Sequence, residues 1–587
     1  MKANKLILLL VLVISSVNCS RISTDAEINV KIINPKEKVI RIGDNSVPVS
    51  ENGEFSFVVK LKSPVFYEVS HAGNYWMIYI ELGKKIELKL TAGDLSSLEY
   101  EGDLKSSNIY LQKASLINNE TNNFFNRNWV NINCLYESGF ISVIDSLKGL
   151  FLDPLTQLTV QYKDISRDFI KLFTADVNFG FNRLIIQYPD NHLIYTGEKV
   201  VLSQLTQDYL NSTPIDDKEM LDLSNYKRFC KSWIDYKDDQ VANTISEQKH
   251  YNFKKMDAVF QILPDMFHDK YLSDYWLSEY LYEFISLNGL TNSIVYIKDF
   301  DSVCNTKEFN TRITEFVKNE EKNREDHLVK VYKTINGFAL EAHIFYPDNL
   351  TKTEKRPAIV LFHGGGWQVG NPSWMFGNAR HFRDLGLVAI AAQYRLGNRM
   401  DITAFECLDD ARDVIKWMRA NSDSLHIVSD SIVAYGWSAG GHLAISAAIF
   451  NDSSSVNGID SSPNATILFS PGISLPTNMS WIISALGFGA DRTSINPVDH
   501  IRKGLPPTII LQGRDDTVTP LDGAQLFTDE MHASGNYCEL WIYDNVGHLF
   551  TPNTIPDYND PQPDPGIMRK ASEKADEFLV KLKYIKQ

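Results

Sequence analysis

The chain has 587 residues, 44% of them hydrophobic and 22% charged, with a formal net charge of −15. That length exceeds one core and predicts about three or four domains. The composition is that of a globular protein. The acidic balance argues against nucleic acid as a partner, because phosphate binding needs a basic face.

Residues 1–19 read as a targeting segment. Lys2 and Lys5 make a basic n-region, and Leu6 to Ile14 an apolar h-region of signal-peptide length. The run is too short to cross a bilayer as a helix. It closes on Ser15-Ser16-Val17-Asn18-Cys19-Ser20. A cysteine just after the h-region resembles a bacterial lipoprotein signal, which implies lipidation of Cys19. The departures are Ser16, where a Leu-like residue is usual, and Asn18, where Gly or Ala is usual. Lipid on Cys19 would tether the protein to a membrane without a spanning helix. The expectation is an exported, membrane-anchored lipoprotein of the bacterial cell envelope, facing the periplasm or the cell surface, with simple secretion as the alternative. The cysteines at 19, 134, 230, 304, 407 and 538 show no C-x-x-C pair and no metal-ligand spacing. They read as mostly buried thiols with at most an incidental disulfide.

Residues 26–102 alternate apolar and polar. Glu27-Ile28-Asn29-Val30-Lys31-Ile32, Phe55 to Leu61, Val65 to Val69, Trp76 to Leu82 and Ile86 to Leu90 are separated by turns such as Glu51-Asn52-Gly53-Glu54. Period-two patterning with regular turns predicts a small β-sandwich. It loosely resembles the DUF4369-like domain of exported lipoproteins. Without a C-x-x-C, the redox function of such relatives does not carry over.

Residues 103–326 form a helical region, with helical spacing over Leu150 to Leu158, Ile165 to Thr174 and Tyr271 to Leu287. The stripe Tyr271, Tyr275, Trp276, Tyr280, Tyr282 and Phe284 reads as core, with a ligand platform as the alternative. The charged run Lys318 to Asp326 is the expected linker.

Residues 327–587 carry the chemistry. Strands are expected at Leu328 to Tyr332, Phe338 to Tyr346 and Pro357 to Phe362; the last runs into His363-Gly364-Gly365-Gly366-Trp367. Acyl transfer builds negative charge on a former carbonyl oxygen, and preorganised N–H donors stabilise it. A glycine run lets the backbone aim such amides, and those of Gly365, Gly366 and Ala439 are the candidates. A flexible turn is the bland alternative. Leu387 to Tyr394 reads as another strand, and Ala404 to Ala420 as a helix carrying Asp410. The strand Ile432 to Tyr435 then leads into Gly436-Trp437-Ser438-Ala439-Gly440 and an apolar helix. In that strand–turn–helix context a G-x-S-x-G marks a nucleophile elbow at Ser438. Ala465 to Ser470 is the next strand. The irregular stretch from Pro471 to Leu505 places Trp481, Leu486 and Phe488 either over the site or in the core. The strand Pro507 to Gly513 ends in a turn containing Asp515 and Asp516. The strand Glu539 to Tyr543 precedes His548. Asp522 to Ser534 and Met568 to Lys583 read as the last outer helices. The order Ser, Asp, His, each after a strand, is that of an α/β-hydrolase triad.

These pieces resemble α/β-hydrolases of the esterase/lipase group, and among them BD-FAE-like carbohydrate esterases of the feruloyl and acetylxylan kind. The matching stretches are His363 to Trp367, Tyr394-Arg395-Leu396, Gly436 to Leu443, Pro506-Pro507-Thr508, Gly513 to Pro520 and Gly547-His548. The resemblance selects Asp516 over Asp515 as the acid and reads Asp410 as structural. It places Trp437 where the family has a small residue, so Trp437 and Trp367 are the candidate substrate-contacting side chains. The expected fold is α/β: a C-terminal α/β-hydrolase domain preceded by a small β-sandwich and a helical region. The expected activity is a tethered serine esterase with Ser438, Asp516 and His548 as triad, acting on small-molecule or oligosaccharide esters, with no cofactor and no metal. A serine peptidase of the prolyl-oligopeptidase type and a non-catalytic binding lipoprotein are the alternatives.

Overall fold

A computed structural model describes residues 24–586, apart from 44, 162–163, 246–252, 352, 398–401, 451–457, 476–481, 483–484, 488–489 and 557–559. The targeting segment with Cys19, and also Trp481 and Phe488, lie outside the described residues. The chain divides into two units, one ending at Trp233 and the other beginning at Ile234.

The first unit opens with β1 (Asp25–Ile33), β2 (Val39–Ile42), β3 (Asn45–Pro48), β4 (Glu54–Lys60), β5 (Val65–His71), β6 (Asn74–Ile80), β7 (Lys85–Thr91) and β8 (Asp94–Gly102). They form two four-stranded sheets, ordered β4-β1-β7-β8 and β3-β2-β5-β6. The alternation is realised along β1, where Ala26, Ile28, Val30 and Ile32 are buried between more exposed neighbours. Helices α1 (Lys105–Asn133), α2 (Glu137–Gln161), α3 (Arg167–Thr196), α4 (Gln204–Asn211) and α5 (Ser224–Ala242) follow. The unit boundary falls inside α5. Strand β6 is a sheet edge, and α1 covers it with one side chain. Buried Asn108 accepts from the Tyr79 amide at 2.8 Å and donates to the Tyr79 carbonyl at 3.0 Å. An edge strand with unmet backbone groups is thereby closed.

After the end of α5, the second unit continues with α6 (Lys254–Met266), α7 (Lys270–Val303) and α8 (Lys307–Lys322). Then come β9 (Leu328–Ile335), β10 (Phe338–Phe345), β11 (Arg356–Phe362), α9 (Phe376–Asp384), β12 (Val388–Ala392), α10 (Ala404–Ala420), β13 (Ile427–Trp437), α11 (Ala439–Ile449), β14 (Ala465–Phe469), β15 (Thr508–Gly513) and β16 (Cys538–Tyr543). Two further outer helices span Leu521–Ala533 and Pro565–Lys581. The sheet runs β16-β15-β14-β13-β11-β12-β10-β9. Strands β9 and β10 are antiparallel to their neighbours, and β11 to β16 pair in parallel. Strands β11, β12, β14 and β15 are buried along nearly their whole length because both faces are covered. One layer includes Val360, Ile390, Ala434 and Leu468 with α10 and α11, the other Ile359, Leu361, Val433 and Ile467 with α9 and the helix Pro565–Lys581.

The aromatic stripe of α7 is core in part: Trp276, Tyr280 and Phe284 are buried, Tyr271 and Tyr275 are half-buried, and Tyr282 is exposed. The charged run after it is not a free linker. Asp326 accepts from Arg380 Nε at 2.7 Å, and Arg324 forms a two-pronged pair with Glu341 on β10, at 3.2 and 3.0 Å. Glu341 is only 2% exposed. The compact unit therefore starts upstream of the run, and α6 to α8 belong to the same unit as the sheet. A charge run looks solvated in sequence because its partners are non-local. The cysteines at 134, 230, 304, 407 and 538 are all free thiols, and only Cys134 among them is exposed. Among the described residues no helix is long and apolar enough to cross a membrane.

Burial pushes the Glu341 carboxyl upward. Hydrogen bonds from His343 and Thr291 and the Arg324 charge outweigh it and hold the group at about 2. A depressed carboxylate stabilises the fold fully above its unfolded value, and that contribution is lost as pH falls toward 2. Arg324→Ala leaves a buried carboxylate without its cation and is expected to cost about 3–5 kcal/mol. Denaturant unfolding of the variant at neutral pH measures the loss. Its stability should also fall less steeply than the parent's between pH 5 and pH 3. A loss no larger than that of an exposed ion pair would contradict this account.

Candidate active site

Strand register brings the site together. Strand β11 pairs in parallel with β13, Phe362 opposite Gly436, and β13 pairs with β14, Trp437 opposite Phe469. The chain runs from β11 to β12 on one side and returns to β13 on the other. This reversal opens a crevice at the carboxyl ends of β11 and β13, where α/β sheets bind ligands. The turn after β11 and the elbow after β13 leave the sheet side by side.

Ser438 stands at that elbow with φ 53° and ψ −117°, a conformation rare for a residue with a Cβ. Two glycines make it possible. A Cβ on Gly436 would lie 2.1 Å from the Gly440 carbonyl oxygen, and one on Gly440 would lie 2.1 Å from that of Phe362. The Ser438 amide donates to Phe469 O at 2.9 Å, and the Ser438 carbonyl accepts from His442 N at 3.1 Å. The backbone is pinned and the hydroxyl is left to point away from the strand.

That hydroxyl lies 3.0 Å from His548 Nε2. The other ring nitrogen, Nδ1, lies 3.0 Å from Asp516 Oδ2 and 3.2 Å from Oδ1. The Asp516 carboxylate is buried and accepts from the amides of Val518 at 3.0 Å and Thr519 at 2.7 Å, and from Gln512 Nε2 at 3.0 Å. These donors fix its orientation. Asp515 is exposed and accepts from Asn553 Nδ2 at 2.9 Å. The residues alone leave the two aspartates open; the geometry brings Asp516 to the histidine. Gly513 permits this meeting, since a Cβ there would lie 2.3 Å from Gly547 O. Sequence reasoning missed Gln512, Thr519 and Ser470. Thr519 Oγ1 is 2.9 Å from Asp516 Oδ2 and 3.0 Å from Ser470 O, and the Leu549 amide donates to Ser470 Oγ at 3.1 Å. A threonine three residues after an aspartate is the one local sign, since that spacing suits an Asp-centred turn.

The glycine run lies against the elbow. A Cβ on Gly364 would lie 3.2 Å from Trp437 O and 3.4 Å from Ser438 Cβ. Gly365 and Gly366 adopt φ 110° and 60°, and the Gly365 carbonyl takes the amides of Gln368 and Val369 at 3.0 Å. Among the described residues no carbonyl or side chain takes the amide hydrogens of Gly365, Gly366 and Ala439. Ala439 opens α11, so its amide sits at the positive end of a helix. Beneath the run, His363 is buried with its ring stacked on Tyr394 at 4.3 Å. Burial lowers its pKa to about 4, so the ring is neutral near pH 7, and Nδ1–H donates to Gly364 O at 2.7 Å. Asp410 is structural, as the resemblance implies. It is buried, accepts from Arg395 N at 3.0 Å, Nε at 2.8 Å and a terminal nitrogen at 3.0 Å, and receives Lys333 at 2.7 Å.

Trp367 is a correction. It is 0% exposed, and its ring packs edge-on to His442 at 5.0 Å in the α10–α11 layer. At φ 62° the chain turns its indole down into the core, where it has no exposed surface. Trp437 is half-buried on the other face of the sheet and donates its indole N–H to Tyr435 Oη at 2.6 Å. Leu486 is core. The exposed apolar residues near the glycine run are Val369 and Trp374, 41% and 51% exposed, which the sequence reading did not single out. The Trp374 ring lies 5.8 Å from that of His363.

Comparison with known proteins bears on this unit. Residues 343–467 match the BD-FAE family. The chain is 26% identical over 217 residues to the probable carboxylic ester hydrolase LipM of Mycobacterium tuberculosis, covering 33% of this chain and 49% of LipM. It is 29% identical over 124 residues to the non-reducing polyketide synthase atr1 of Stereocaulon alpinum, covering 20% of this chain. It thus spans about half of LipM and 5% of the synthase. Among solved structures, Thermogutta terrifontis esterase 2 is 34% identical over 45% of this chain and 97% of that one, with a TM-score of 0.41. Sheet order, elbow and family match together make the second unit an α/β-hydrolase of the esterase/lipase group, similar to BD-FAE over residues 343–467.

Proposed function

We propose that this protein is a serine esterase that hydrolyses carboxylic esters through an acyl-enzyme. The observation that carries the reading is the hydrogen-bonded chain Ser438–His548–Asp516 beside three amides that no group among the described residues takes. In this mechanism His548 Nε2 takes the proton of Ser438 Oγ as that oxygen attacks the ester carbonyl. The oxyanion collects at the amides of Gly365, Gly366 and Ala439. His548 then protonates the departing alkoxide, and the acyl group stays on Ser438. Water repeats the cycle, giving its proton to His548 and releasing the acid. Asp516 holds the imidazole with Nδ1 protonated and stabilises the imidazolium. Each oxyanion donor contributes on the order of 10²–10³-fold in kcat.

The substrate class we propose is acyl groups on carbohydrate, supported by the BD-FAE match and by the exposed Trp374 near the glycine run. A tryptophan face offers a planar apolar surface to a sugar or an aryl acyl group. The glycine run at 364–366 favours an esterase over a prolyl-oligopeptidase-type peptidase. The filled triad favours an enzyme over a binding lipoprotein. Export and tethering through a lipidated Cys19 are part of the proposal, and rest on the h-region and the cysteine after it.

Ser438→Ala is expected to lower kcat on p-nitrophenyl acetate by about 10⁴-fold or more and to abolish fluorophosphonate labelling, with the thermal transition retained. On the same substrate Asp516→Asn should lose far more activity than Asp515→Asn; the reverse order would reassign the acid. Trp374→Ala should raise KM for a feruloylated or acetylated oligosaccharide by about tenfold while changing KM for p-nitrophenyl acetate by less than about twofold. Equal effects on both would remove Trp374 from the substrate surface. Cys19→Ala should move the protein from the membrane to the soluble fraction of expressing cells, and retention in the membrane would count against lipidation.

A further inference from the structure

Helix α7 is broken at Gly289, which adopts φ 75° and ψ 168°. Carbonyls just before a helix break lose their partners four residues on and need other donors. The first half of α7 ends in Ser286, Leu287 and Asn288. The Ser286 carbonyl accepts from Asn371 Nδ2 at 2.5 Å, and the Asn288 carbonyl accepts from Gln393 Nε2 at 3.1 Å.

Both donors come from the segments that clamp His363. Asn371 follows Gly370, where a Cβ would lie 2.2 Å from His363 Nδ1. Its Oδ1 accepts from Ser373 N at 2.8 Å, so its amide closes the end of the glycine loop while reaching α7. Gln393 precedes Tyr394, which stacks on His363 and donates its hydroxyl to His363 O at 2.8 Å. His363 in turn holds Gly364 O. The break also carries the negative end of a helix dipole, which strengthens donation to its carbonyls.

We propose that the kink of α7 positions the oxyanion loop, acting through Asn371 and Gln393; this rests on the esterase reading. The kink is itself locked. A Cβ on Gly289 would lie 3.3 Å from Glu341 Oε2 and 3.4 Å from an Arg324 nitrogen, so the Arg324–Glu341 pair fills the space beside it. Asn371 and Gln393 are positioning residues: they set where the Gly365 and Gly366 amides point.

The test uses the full chain with Asn371→Asp and Asn371→Ser. Both keep an oxygen for the Ser373 amide, and neither can reach and donate to Ser286. Active sites are counted by fluorophosphonate, so that an unfolded fraction does not enter kcat. The expected result for both is a loss of about 10–100-fold in kcat per labelled site on p-nitrophenyl acetate, with KM within about twofold. Amide exchange over 363–371 should quicken, while that of α11 stays as in the parent. Either variant holding kcat per site within about twofold, or unchanged exchange over 363–371, overturns the proposal. An unlabelled, inactive parent would overturn the esterase reading instead, and the exchange comparison would still decide whether Asn371 braces the loop.

Discussion

A serine hydroxyl stands clear of a strand end only if the backbone beneath it turns left-handed, and that constraint organises the second unit. At φ 53° Ser438 carries steric strain on the order of 1–3 kcal/mol. The surrounding structure holds it there by close approach. Gly436, Gly440 and Gly364 bring strand, helix and loop within contact distances that any Cβ would violate or crowd. Once the elbow is fixed, strand register does the rest. Phe362 opposite Gly436 sets the glycine loop beside the hydroxyl. Trp437 opposite Phe469 delivers Ser470, whose carbonyl and hydroxyl meet Thr519 and Leu549 on the segments bearing acid and base.

Much of this was legible in the sequence because parallel strands buried on both faces leave unmistakable apolar runs, and functional residues follow them directly. The elbow, the glycine turn and His548 were readable in that way. The choice of Asp516 over Asp515 came from the family resemblance and not from the residues alone, since adjacent residues in one turn differ only in which side chain the amides of Val518 and Thr519 enclose. Trp367 was misread for a related reason. The direction of a side chain at positive φ follows from backbone geometry, and composition carries no trace of it. The charged run at 318–326 was read as a linker because sequence shows charges without their partners, and the partners of Arg324 and Asp326 lie on β10 and α9.

The two units share a device that no pattern announces. In the first, Asn108 meets both backbone groups of Tyr79. In the second, Asn292 Nδ2 donates to Ala339 O at 2.9 Å, and Asn292 Oδ1 accepts from Ala339 N at 2.9 Å. Ala339 lies on β10 before its pairing with β12 begins at Ala342. A primary amide has the donor and acceptor spacing of a peptide group, so it extends a ladder by one rung where a strand has no neighbour. Exposed asparagines are common on helices, and only burial gives this one its meaning.

Residues that carry chemistry in this reading fall between 363 and 548, yet some of the groups around them, on α7 and β10, lie upstream. Glycine suits position 289 on two counts: its φ is one that L side chains rarely adopt, and a Cβ would crowd the ends of the Glu341 and Arg324 side chains at 3.3 and 3.4 Å. Asn292, one turn later, fixes the second half of α7 to β10, while Asn371 and Gln393 fix the end of the first half. Both sides of the break are thus tied by side-chain amides. Kink and elbow thus share a feature: each turns on a residue at positive φ, Gly289 and Ser438, held in place by close contacts from neighbouring segments.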